Sequence, residues 1–262
     1  MRERAADGPE SPPNILDVRG LAYAYPDGQQ ALYGVTLAIT QGERVAVLGP
    51  NGAGKTTLML HLNGIHLPGA GSVTVAGVTL AAGDRPGKDA LRELRRRVGL
   101  VFQDPDDQLF MPSVREDVAF GPANLGVRGP ELQRRVEEAL DSVGMLEVID
   151  RPPHHLSYGQ KRRVALATVL AMRPDLLVLD EPSSNLDPAA RRELAEVLTA
   201  LPVTMIMVTH DLPYALQLCE RSVILDSGMI AADGPTPTLL RDAELLARHR
   251  LELPEGYGVP AG

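Results

Sequence analysis

A glycine-rich stretch at residues 49–57, GPNGAGKTT, constrains the fold of this chain more than any other feature. It fits the pattern G-x-x-x-x-G-K-[ST], follows the apolar run RVAVL and precedes a helix-forming segment. Such a loop between a strand and a helix is typical of phosphate binding, because its glycines let successive backbone N–H groups point at phosphate oxygens. The stretch therefore predicts an α/β domain that binds a nucleotide.

Two side chains supply the polar chemistry of this loop. The Lys55 ammonium is a mobile point charge for the β- and γ-phosphates, and the Thr56 hydroxyl is a ligand for Mg²⁺. The following helix turns its positive end toward the same anion. The residues expected to bind the nucleotide here are Gly49, Pro50, Asn51, Gly52, Ala53, Gly54, Lys55, Thr56 and Thr57.

Short apolar runs alternate with helical patterns along much of the chain. Continuous apolar runs of strand length fit strands buried on both faces of a parallel sheet, and strand–helix alternation predicts an α/β fold. The predicted strands are 44–49, 98–102, 176–180 and 204–209, and the predicted helices are roughly 55–65, 130–143, 158–172, 188–200 and 211–219.

Two regions depart from this alternation. Residues 14–40 and 72–80 alternate apolar and polar positions with a period of two, which predicts a small antiparallel β layer. Residues 104–155 contain no convincing strand, only helical segments broken by proline and glycine. The expected fold class is therefore an α/β P-loop NTPase core with a small antiparallel layer and an inserted helical subdomain over about 104–172.

Composition narrows the choice of partners. The formal net charge of −8 argues against a general nucleic-acid binder. The single cysteine, Cys219, rules out an internal disulfide and is expected to be a small buried apolar residue. The longest apolar runs fall far short of the roughly 20 residues that span a bilayer, so a membrane role requires a partner.

A second part of the nucleotide site is predicted at the end of the apolar run 176–180. Asp180 is expected to hold the Mg²⁺ shell through water, and Glu181 is placed to polarise an attacking water. Together with the phosphate loop, this acid pair indicates hydrolysis of a nucleoside triphosphate.

The segment LSYGQ at 156–160 resembles the L-S-G-G-Q signature of the ATP-binding-cassette (ABC) ATPases. Other motifs of that family occur in order along nearly the whole chain. Gln103 in VFQDP matches the family's Q-loop, and Asp187 in SNLDP matches its D-loop. His210 lies in VTHD and Tyr25 in YAYPDG. The chain is therefore identified as a member of the ABC ATPases, with ATP and Mg²⁺ as the implied ligands.

The resemblance implies a role for each of these residues. Gln103 would reach Mg²⁺ and the attacking water, His210 would contact the γ-phosphate, and Asp187 would face a second protomer. Tyr25 would stack on adenine, with Tyr23 as the competing candidate. The catalytic residues implied are Glu181, His210 and Gln103, and the Mg²⁺ ligands implied are Thr56, Gln103 and Asp180.

In this family two cassettes close head to tail, so that ATP on one phosphate loop is covered by the other's signature helix. The residues expected to act across that interface are Ser157, Tyr158, Gly159 and Gln160. Tyr158 replaces the usual glycine, which is tolerable if its backbone has an ordinary helical φ and its side chain points away from the phosphate. The second protomer is either another copy of this chain or a partner ATPase.

The segment 102–126, FQDPDDQLFMPSVREDVAFGPANLG, resembles the cobalt- and nickel-type ATPases of the energy-coupling-factor (ECF) importers. This implies an ATPase that lies at the cytoplasmic face of the plasma membrane and powers the uptake of a transition metal ion or a vitamin. The implied partners are a transmembrane coupling component and a substrate-binding component. Gln108, Leu109 and Phe110 are expected to be exposed to that partner, the alternative being that Phe110 packs into the local core.

Two other functions stay open from the sequence. Amino-acid importers of the branched-chain kind also carry a tyrosine in the signature. A soluble ABC-class ATPase is less compatible. The types that act on chromosomes or in DNA repair need long coiled coils between Lys55 and the signature, where only about a hundred residues lie, and ribosomal types usually carry two cassettes and a basic linker. The expected organisation is a disordered tail over 1–13, an ABC ATPase domain over 14–235, and a short C-terminal helix (236–249) and tail over 236–262.

Overall fold

The computed structural model describes residues 13–259. The tail predicted over 1–13 lies outside the described residues except for Pro13, as do the last residues of the chain. In the described part the strands are β1 (Asn14–Ala24), β2 (Gln30–Thr40), β3 (Arg44–Leu48), β4 (Ala70–Val75), β5 (Val78–Ala81), β6 (Val98–Val101), β7 (Leu176–Asp180), β8 (Thr204–Thr209), β9 (Arg221–Asp226) and β10 (Met229–Pro235).

The helices connect and flank these strands. They are α1 (Lys55–Leu62), α2 (Lys88–Arg97), α3 (Val114–Asn124), α4 (Gly129–Ser142), α5 (Tyr158–Leu170), α6 (Pro188–Ala200), α7 (Leu212–Leu218), α8 (Thr236–Arg241) and α9 (Ala243–Arg248). None of the helices in residues 13–259 has the length and apolar character needed to cross a membrane.

The central sheet has six strands in the order β10-β9-β3-β8-β7-β6, and only the edge strand β10 runs antiparallel to its neighbour. Its inner strands are buried on both faces, as their continuous apolar runs predict. Alternate residues enter opposite cores: Ala46 and Leu48 of β3 face one hydrophobic cluster, and Val45 and Val47 face the other. The predicted parallel α/β core is confirmed.

A second sheet covers one face of the first. Its strands are antiparallel and lie in the order β2-β1-β4-β5, which confirms the antiparallel layer predicted from the two-residue alternation. Its apolar side chains share a cluster with Val45, Val47 and the inner face of α1, including Leu58 and Met59. On the opposite face, α3, α4 and α5 pack against one another within the stretch predicted to be helical.

Several elements escape the sequence-based prediction. Helix α2 was not predicted because it is highly charged and buries only Leu94. Strands β9 and β10 were not predicted because they follow a helix directly and form an edge hairpin. The single C-terminal helix predicted over 236–249 is wrong: Asp242 leaves the helical conformation at φ −84° and ψ 85°, and its side chain accepts from Leu245 N to begin α9.

Candidate nucleotide-binding and catalytic site

The site forms where parallel strands end at one edge of the sheet. The phosphate loop follows β3, Gln103 follows β6, the acid pair lies at the end of β7, and His210 follows β8. Since β3, β8, β7 and β6 are consecutive neighbours, their carboxyl ends bring these loops together. The parallel order thus assembles residues that are far apart in sequence.

Two glycines are needed in the phosphate loop for steric reasons. A Cβ atom at Gly49 would lie 2.1 Å from the carbonyl oxygen of Leu225 in β9. Gly54 has a φ of 99°, and a Cβ there would lie 2.8 Å from the carbonyl oxygen of Ala31 in β2. Because backbone atoms cannot move aside, both positions exclude larger residues and keep the loop tight against the sheet.

Lys55, the first residue of α1, is buried and folded against its own loop. Its Nζ donates to the carbonyl oxygens of Gly49 at 2.6 Å and Pro50 at 3.1 Å. Burial lowers the pKa of the ammonium, while the negative charges of Glu181 and Asp180 act in the opposite direction. The lysine therefore lies between the loop and the two acids.

A cavity of about 390 Å³ brings most of the predicted nucleotide residues together. Its lining includes residues of the phosphate loop and the predicted adenine and Mg²⁺ residues, namely Tyr25, Asn51, Gly52, Ala53, Gly54, Lys55, Thr56, Thr57, Gln103, Asp180 and Glu181. Gln103 and Thr56 are exposed at its wall. Neither the signature residues 157–160 nor His210 line this cavity.

The cavity also includes residues that sequence reasoning missed. The turn between β9 and β10 contributes Ser227 and Gly228, and Gly228 N donates to Ala53 O at 2.9 Å. Gly228 O in turn accepts from Tyr33 N at 2.9 Å, and a Cβ at Gly228 would lie 2.4 Å from Ala31 O. The dipeptide Ser-Gly marks a turn in the sequence, but nothing local shows that this turn supports the phosphate loop.

Tyr25 and Tyr23 occupy different environments. Tyr25 lines the cavity, and its hydroxyl is hydrogen-bonded to Thr57 Oγ1 at 2.7 Å. Tyr23 is stacked on His66, with ring centroids 4.9 Å apart, and lies edge-on to the buried His61 at 4.7 Å. Of the two tyrosines, Tyr25 is the one that lines the cavity.

Glu181 is buried and held by several partners. Its carboxylate accepts from Thr209 Oγ1 at 3.0 Å and from His210 Nδ1 at 2.8 Å, and His210 N lies at 3.4 Å. Its backbone has a φ of 44°, in the left-handed region that residues other than glycine seldom adopt. Thr209, which the motifs did not single out, thus orients the acid together with His210.

Asp180 is suited to a cation. Burial and the neighbouring charge of Glu181 raise its carboxyl pKa to about 6, while Lys55 and Arg162 oppose that rise. A divalent ion would relieve the repulsion between the two acids. The Asp180 carboxylate and the Thr56 hydroxyl are hard oxygen donors of the kind Mg²⁺ prefers, and Gln103 lines the same cavity. The residues present therefore fit Mg²⁺.

The predicted signature begins α5 with a capping box. Ser157 Oγ accepts from Gln160 N at 3.3 Å, and Gln160 Oε1 accepts from Ser157 N at 3.0 Å. Gly159 lies against α6, where a Cβ atom would come within 2.8 Å of the Ala190 Cβ. Tyr158 is helical and has no positive φ, so the backbone condition for a tyrosine is met.

Asp187 caps the neighbouring helix. Its Oδ1 accepts from the backbone N–H groups of Ala189 at 2.8 Å and Ala190 at 3.0 Å. An aspartate at this position satisfies two of the free N–H groups at the start of α6. Since Gly159 packs on Ala190, the predicted signature and D-loop segments are adjacent within one chain.

The expectation that three neighbouring residues are exposed after the Q-loop is wrong for two of them. The Gln108 amide donates to Ala165 O and Thr168 Oγ1, both at 2.7 Å, and Leu109 is only 8% exposed within the core. Gln108 instead holds this segment to α5, because its partly buried amide finds its partners within the protein.

Phe110 is the residue of this segment that reaches solvent. It is 63% exposed and forms an edge-on contact with Phe120 of α3, which is 41% exposed, at a centroid distance of 5.1 Å. The buried Asp117 carboxylate accepts from Phe110 N and Met111 N at 3.0 Å each. The phenylalanine is thus presented outward on a fixed backbone, and the alternative of a core-packed Phe110 is wrong.

The chain is similar in sequence to one protein family and to several known proteins. The model of the ABC transporter family matches residues 32–184. A Streptomyces coelicolor protein whose name places it among ABC transporter ATP-binding proteins is 66% identical over 253 residues, covering 97% of this chain and 95% of that protein. An energy-coupling factor transporter ATP-binding protein EcfA of Methanothermobacter thermautotrophicus is 49% identical, covering 92% of this chain and 77% of that protein.

The chain is also similar in fold and sequence to solved structures of ATP-binding cassettes. CbiO1 of Clostridium perfringens, described as part of the ABC transporter complex CbiONQ, is 38% identical with a TM-score of 0.79, covering 92% of this chain and 96% of that one. A dimeric ATP-binding cassette in a post-hydrolysis state, bound to ADP and Pi, is 26% identical with a TM-score of 0.74, covering 85% and 99%. The chain therefore belongs to the ABC transporter family, as an ATP-binding subunit whose ATP hydrolysis is coupled to transport.

Proposed function

We propose that this chain powers an importer of the ECF type that takes up a cobalt or nickel ion, or a vitamin. Support comes from the similarity to proteins named EcfA and to CbiO1. The structural observation that carries the proposal is the exposed Phe110–Phe120 pair. Phe110 follows Gln103 closely in sequence, so a change at the nucleotide cavity would be transmitted over a short length of chain to this apolar surface patch.

ATP would occupy the cavity with its base on Tyr25 and its phosphates on the glycine-rich loop. Lys55 would exchange its contacts with Gly49 and Pro50 carbonyls for the β- and γ-phosphates. This exchange leaves the ammonium paired, because phosphate oxygens replace neutral carbonyl acceptors with charged ones. Asp180, Thr56 and Gln103 would hold Mg²⁺, which when bound supplies charge neutralisation at the phosphates.

Hydrolysis would depend on the orientation of Glu181. Its carboxylate is directed by Thr209 and His210, and the residue lines the cavity, where it would meet a water molecule. The group accepts a proton from that water as it attacks the γ-phosphate, which is general-base catalysis. The exposed His210 donates to the same carboxylate and would contact the γ-phosphate when the site closes.

The site would be completed by a second ATPase protomer, either a copy of this chain or a partner ATPase. The signature residues do not line the chain's own cavity, and a related cassette has been solved as a dimer. Ser157 accepts one hydrogen bond in the capping box and keeps its own proton for a γ-phosphate. The free N–H groups at the start of α5 would face the same anion. Asp187, at the start of the adjacent α6, would face the second protomer.

The membrane partners would be a transmembrane coupling component and a substrate-binding component, with the ATPase at the cytoplasmic face. Phe110 would insert its exposed ring between apolar side chains of a helix from the coupling component. Gln108 and Leu109 would hold that surface in place from within. The net charge of −8 gives no support for a nucleic-acid partner.

The organisation we propose follows these roles. Residues 14–235 would form the ATPase domain, with residues of about 104–172 as the helical subdomain that carries the signature and the Phe110 surface. Residues 236–262 would form a short C-terminal segment. Its described part is anchored to the main body, because Leu240 and Leu246 are buried in the larger hydrophobic cluster.

Affinity purification of the tagged chain from its own detergent-solubilised membranes tests the proposal. We expect integral membrane proteins to co-purify in fixed ratio, and Phe110→Asp to reduce their recovery. A chain that purifies from solubilised membranes without any integral membrane protein contradicts the proposal. Recovery of an integral membrane permease for amino acids would instead assign the chain to another class of ABC importer.

A further inference from the structure

A buried arginine near the start of α5 contacts both loops that flank the hydrolytic site. Arg162 is only 2% exposed, and its guanidinium donates to Phe102 O at 2.9 Å, to Glu181 O at 3.1 Å and to Ser184 O at 3.4 Å. Phe102 precedes Gln103, and Glu181 is the proposed general base. One side chain therefore holds the backbone of two catalytic segments.

Tyr158 covers this guanidinium. The Arg162 Cζ atom lies 5.5 Å from the centre of the Tyr158 ring, within the range of a cation–π contact. The Tyr158 hydroxyl also donates to Gln103 O at 3.4 Å. Because Tyr158 and Arg162 are four residues apart on one helix, their side chains lie on the same face and meet over the Q-loop.

The Glu181 backbone needs such support. Its left-handed φ of 44° is a conformation that persists only where the surroundings fix it. Its carbonyl oxygen accepts from Arg162 and from Ser184 N at 3.1 Å, while its N–H donates to Val208 O at 2.8 Å. Without the guanidinium, this carbonyl and that of Phe102 lose a charged donor at a buried position.

The free-energy cost of burying the Arg162 charge also argues against a simple packing role for this residue. The guanidinium remains protonated in proteins, although burial lowers the Arg162 pKa. Within residues 13–259 its direct partners are uncharged, namely backbone carbonyl groups and Tyr158, and its Nε has no partner there. The carboxylates of Asp104 and Asp180 act on it only through their charge, without forming an ion pair. A buried cation without a carboxylate partner is a costly way to stabilise a fold, because an apolar side chain of similar volume avoids the desolvation cost.

We propose that Arg162 is a positioning residue for ATP hydrolysis, which fixes the Glu181 backbone and the start of the Q-loop, and that Tyr158 completes this arrangement. The inference rests on the proposed role of Glu181. It gives the tyrosine in the signature a function within its own chain: the side chain orders the catalytic loops beside it, while the backbone of the same helix turn serves the second protomer.

The test compares Arg162→Lys with Arg163→Lys in the full-length chain. A lysine has a single ammonium that cannot reproduce the planar set of donors on separate carbonyls, whereas Arg163 makes one ion pair, with Glu193 at 3.1 Å, that a lysine also makes. We expect Arg162→Lys to lower kcat about 10- to 100-fold with unchanged affinity for ATP. We expect Arg163→Lys to retain the wild-type kcat.

A double-mutant cycle separates positioning from stability. If Arg162 acts through the Glu181 carboxylate, Arg162→Lys should lower the residual rate of a Glu181→Gln variant much less than it lowers the wild-type rate. A purely structural role predicts the same fold-loss in both backgrounds, together with weaker ATP binding and a lower Tm. Either a wild-type kcat in Arg162→Lys or this additive pattern overturns the proposal.

Tyr158 provides a second route if Arg162→Lys does not fold. Tyr158→Phe keeps the ring over the guanidinium and loses only the hydroxyl, while Tyr158→Leu loses both. We expect a decrease in kcat of about two- to ten-fold for the leucine variant and a smaller one for phenylalanine. Equal, wild-type kcat in both variants overturns the proposal. A wild-type rate in Glu181→Gln instead contradicts the role of Glu181 itself.

Discussion

The Nδ1 atom of His210 lies 2.8 Å from the Glu181 carboxylate, to which it donates a hydrogen bond. Thr209, the preceding residue, donates to the same carboxylate at 3.0 Å. Two consecutive residues at the end of β8 thus orient an acid at the end of the neighbouring strand β7. We therefore expect the rate of hydrolysis to depend on the orientation of the Glu181 carboxylate as well as on its charge.

Glu181→Gln keeps the size of the side chain and removes the base. We expect ATP to bind, kcat to fall about 100-fold or more, and an ATP-bound dimer to accumulate on size-exclusion chromatography. Glu196→Gln on the exposed side of α6 is a matched control that should hydrolyse normally. Wild-type turnover in Glu181→Gln would contradict the assignment of the base.

Thr209→Val removes a donor to Glu181 while keeping the branched shape. We expect kcat to fall about ten-fold, which corresponds to the loss of one hydrogen bond to a charged group. Thr209→Ser retains the hydroxyl and should remain close to wild type in a steady-state phosphate-release assay. Equal rates for the valine and serine variants would show that this hydrogen bond does not orient the base.

Tyr25→Leu removes the ring that faces the cavity. We expect ATP affinity to fall at least about five-fold, the lower end of what stacking on a base contributes, with little change in kcat at saturating ATP. Tyr25→Phe keeps the ring and loses only the bond to Thr57, so its affinity should stay near wild type. Tyr23→Leu should leave ATP affinity unchanged, and the reverse ranking would move the adenine site to Tyr23.

Phe110→Asp places a charge on the exposed apolar patch. We expect it to disrupt association with the membrane partner and abolish transport, while the ATPase activity of the isolated subunit is retained. Leu146→Asp alters another exposed apolar residue, 39% exposed, and should leave both activities intact. Loss of ATP binding in Phe110→Asp would contradict a role for this ring in binding the membrane partner alone.

Features of this fold that depend only on residues close together in the sequence could be predicted from it. The phosphate loop could be predicted because its glycines and Lys55 are consecutive, and the buried strands because their apolar runs are uninterrupted. The capping box at Ser157 and Gln160 likewise follows from a three-residue spacing. The break at Asp242 was missed because a helical pattern continues on both sides of it.

Contacts between distant residues could not be predicted in this way. Gly228 supports the phosphate loop from a hairpin more than 170 residues later in the chain, and its sequence only marks a turn. Arg162 follows the signature as one of several basic residues, and nothing local indicates which of them is buried. Leu109 and Phe110 are adjacent apolar residues, yet only the backbone anchored by Asp117 determines which one faces solvent.

The most direct test of the central claim is uptake by the assembled complex in proteoliposomes. The purified ATPase and its co-purified membrane proteins would be reconstituted with ATP, and accumulation of radiolabelled cobalt, nickel and candidate vitamins measured against a Glu181→Gln complex. The proposed function predicts ATP-dependent accumulation of one of these substrates with the wild-type chain and none with Glu181→Gln. Accumulation of none of them, or equal uptake by both complexes, would contradict it.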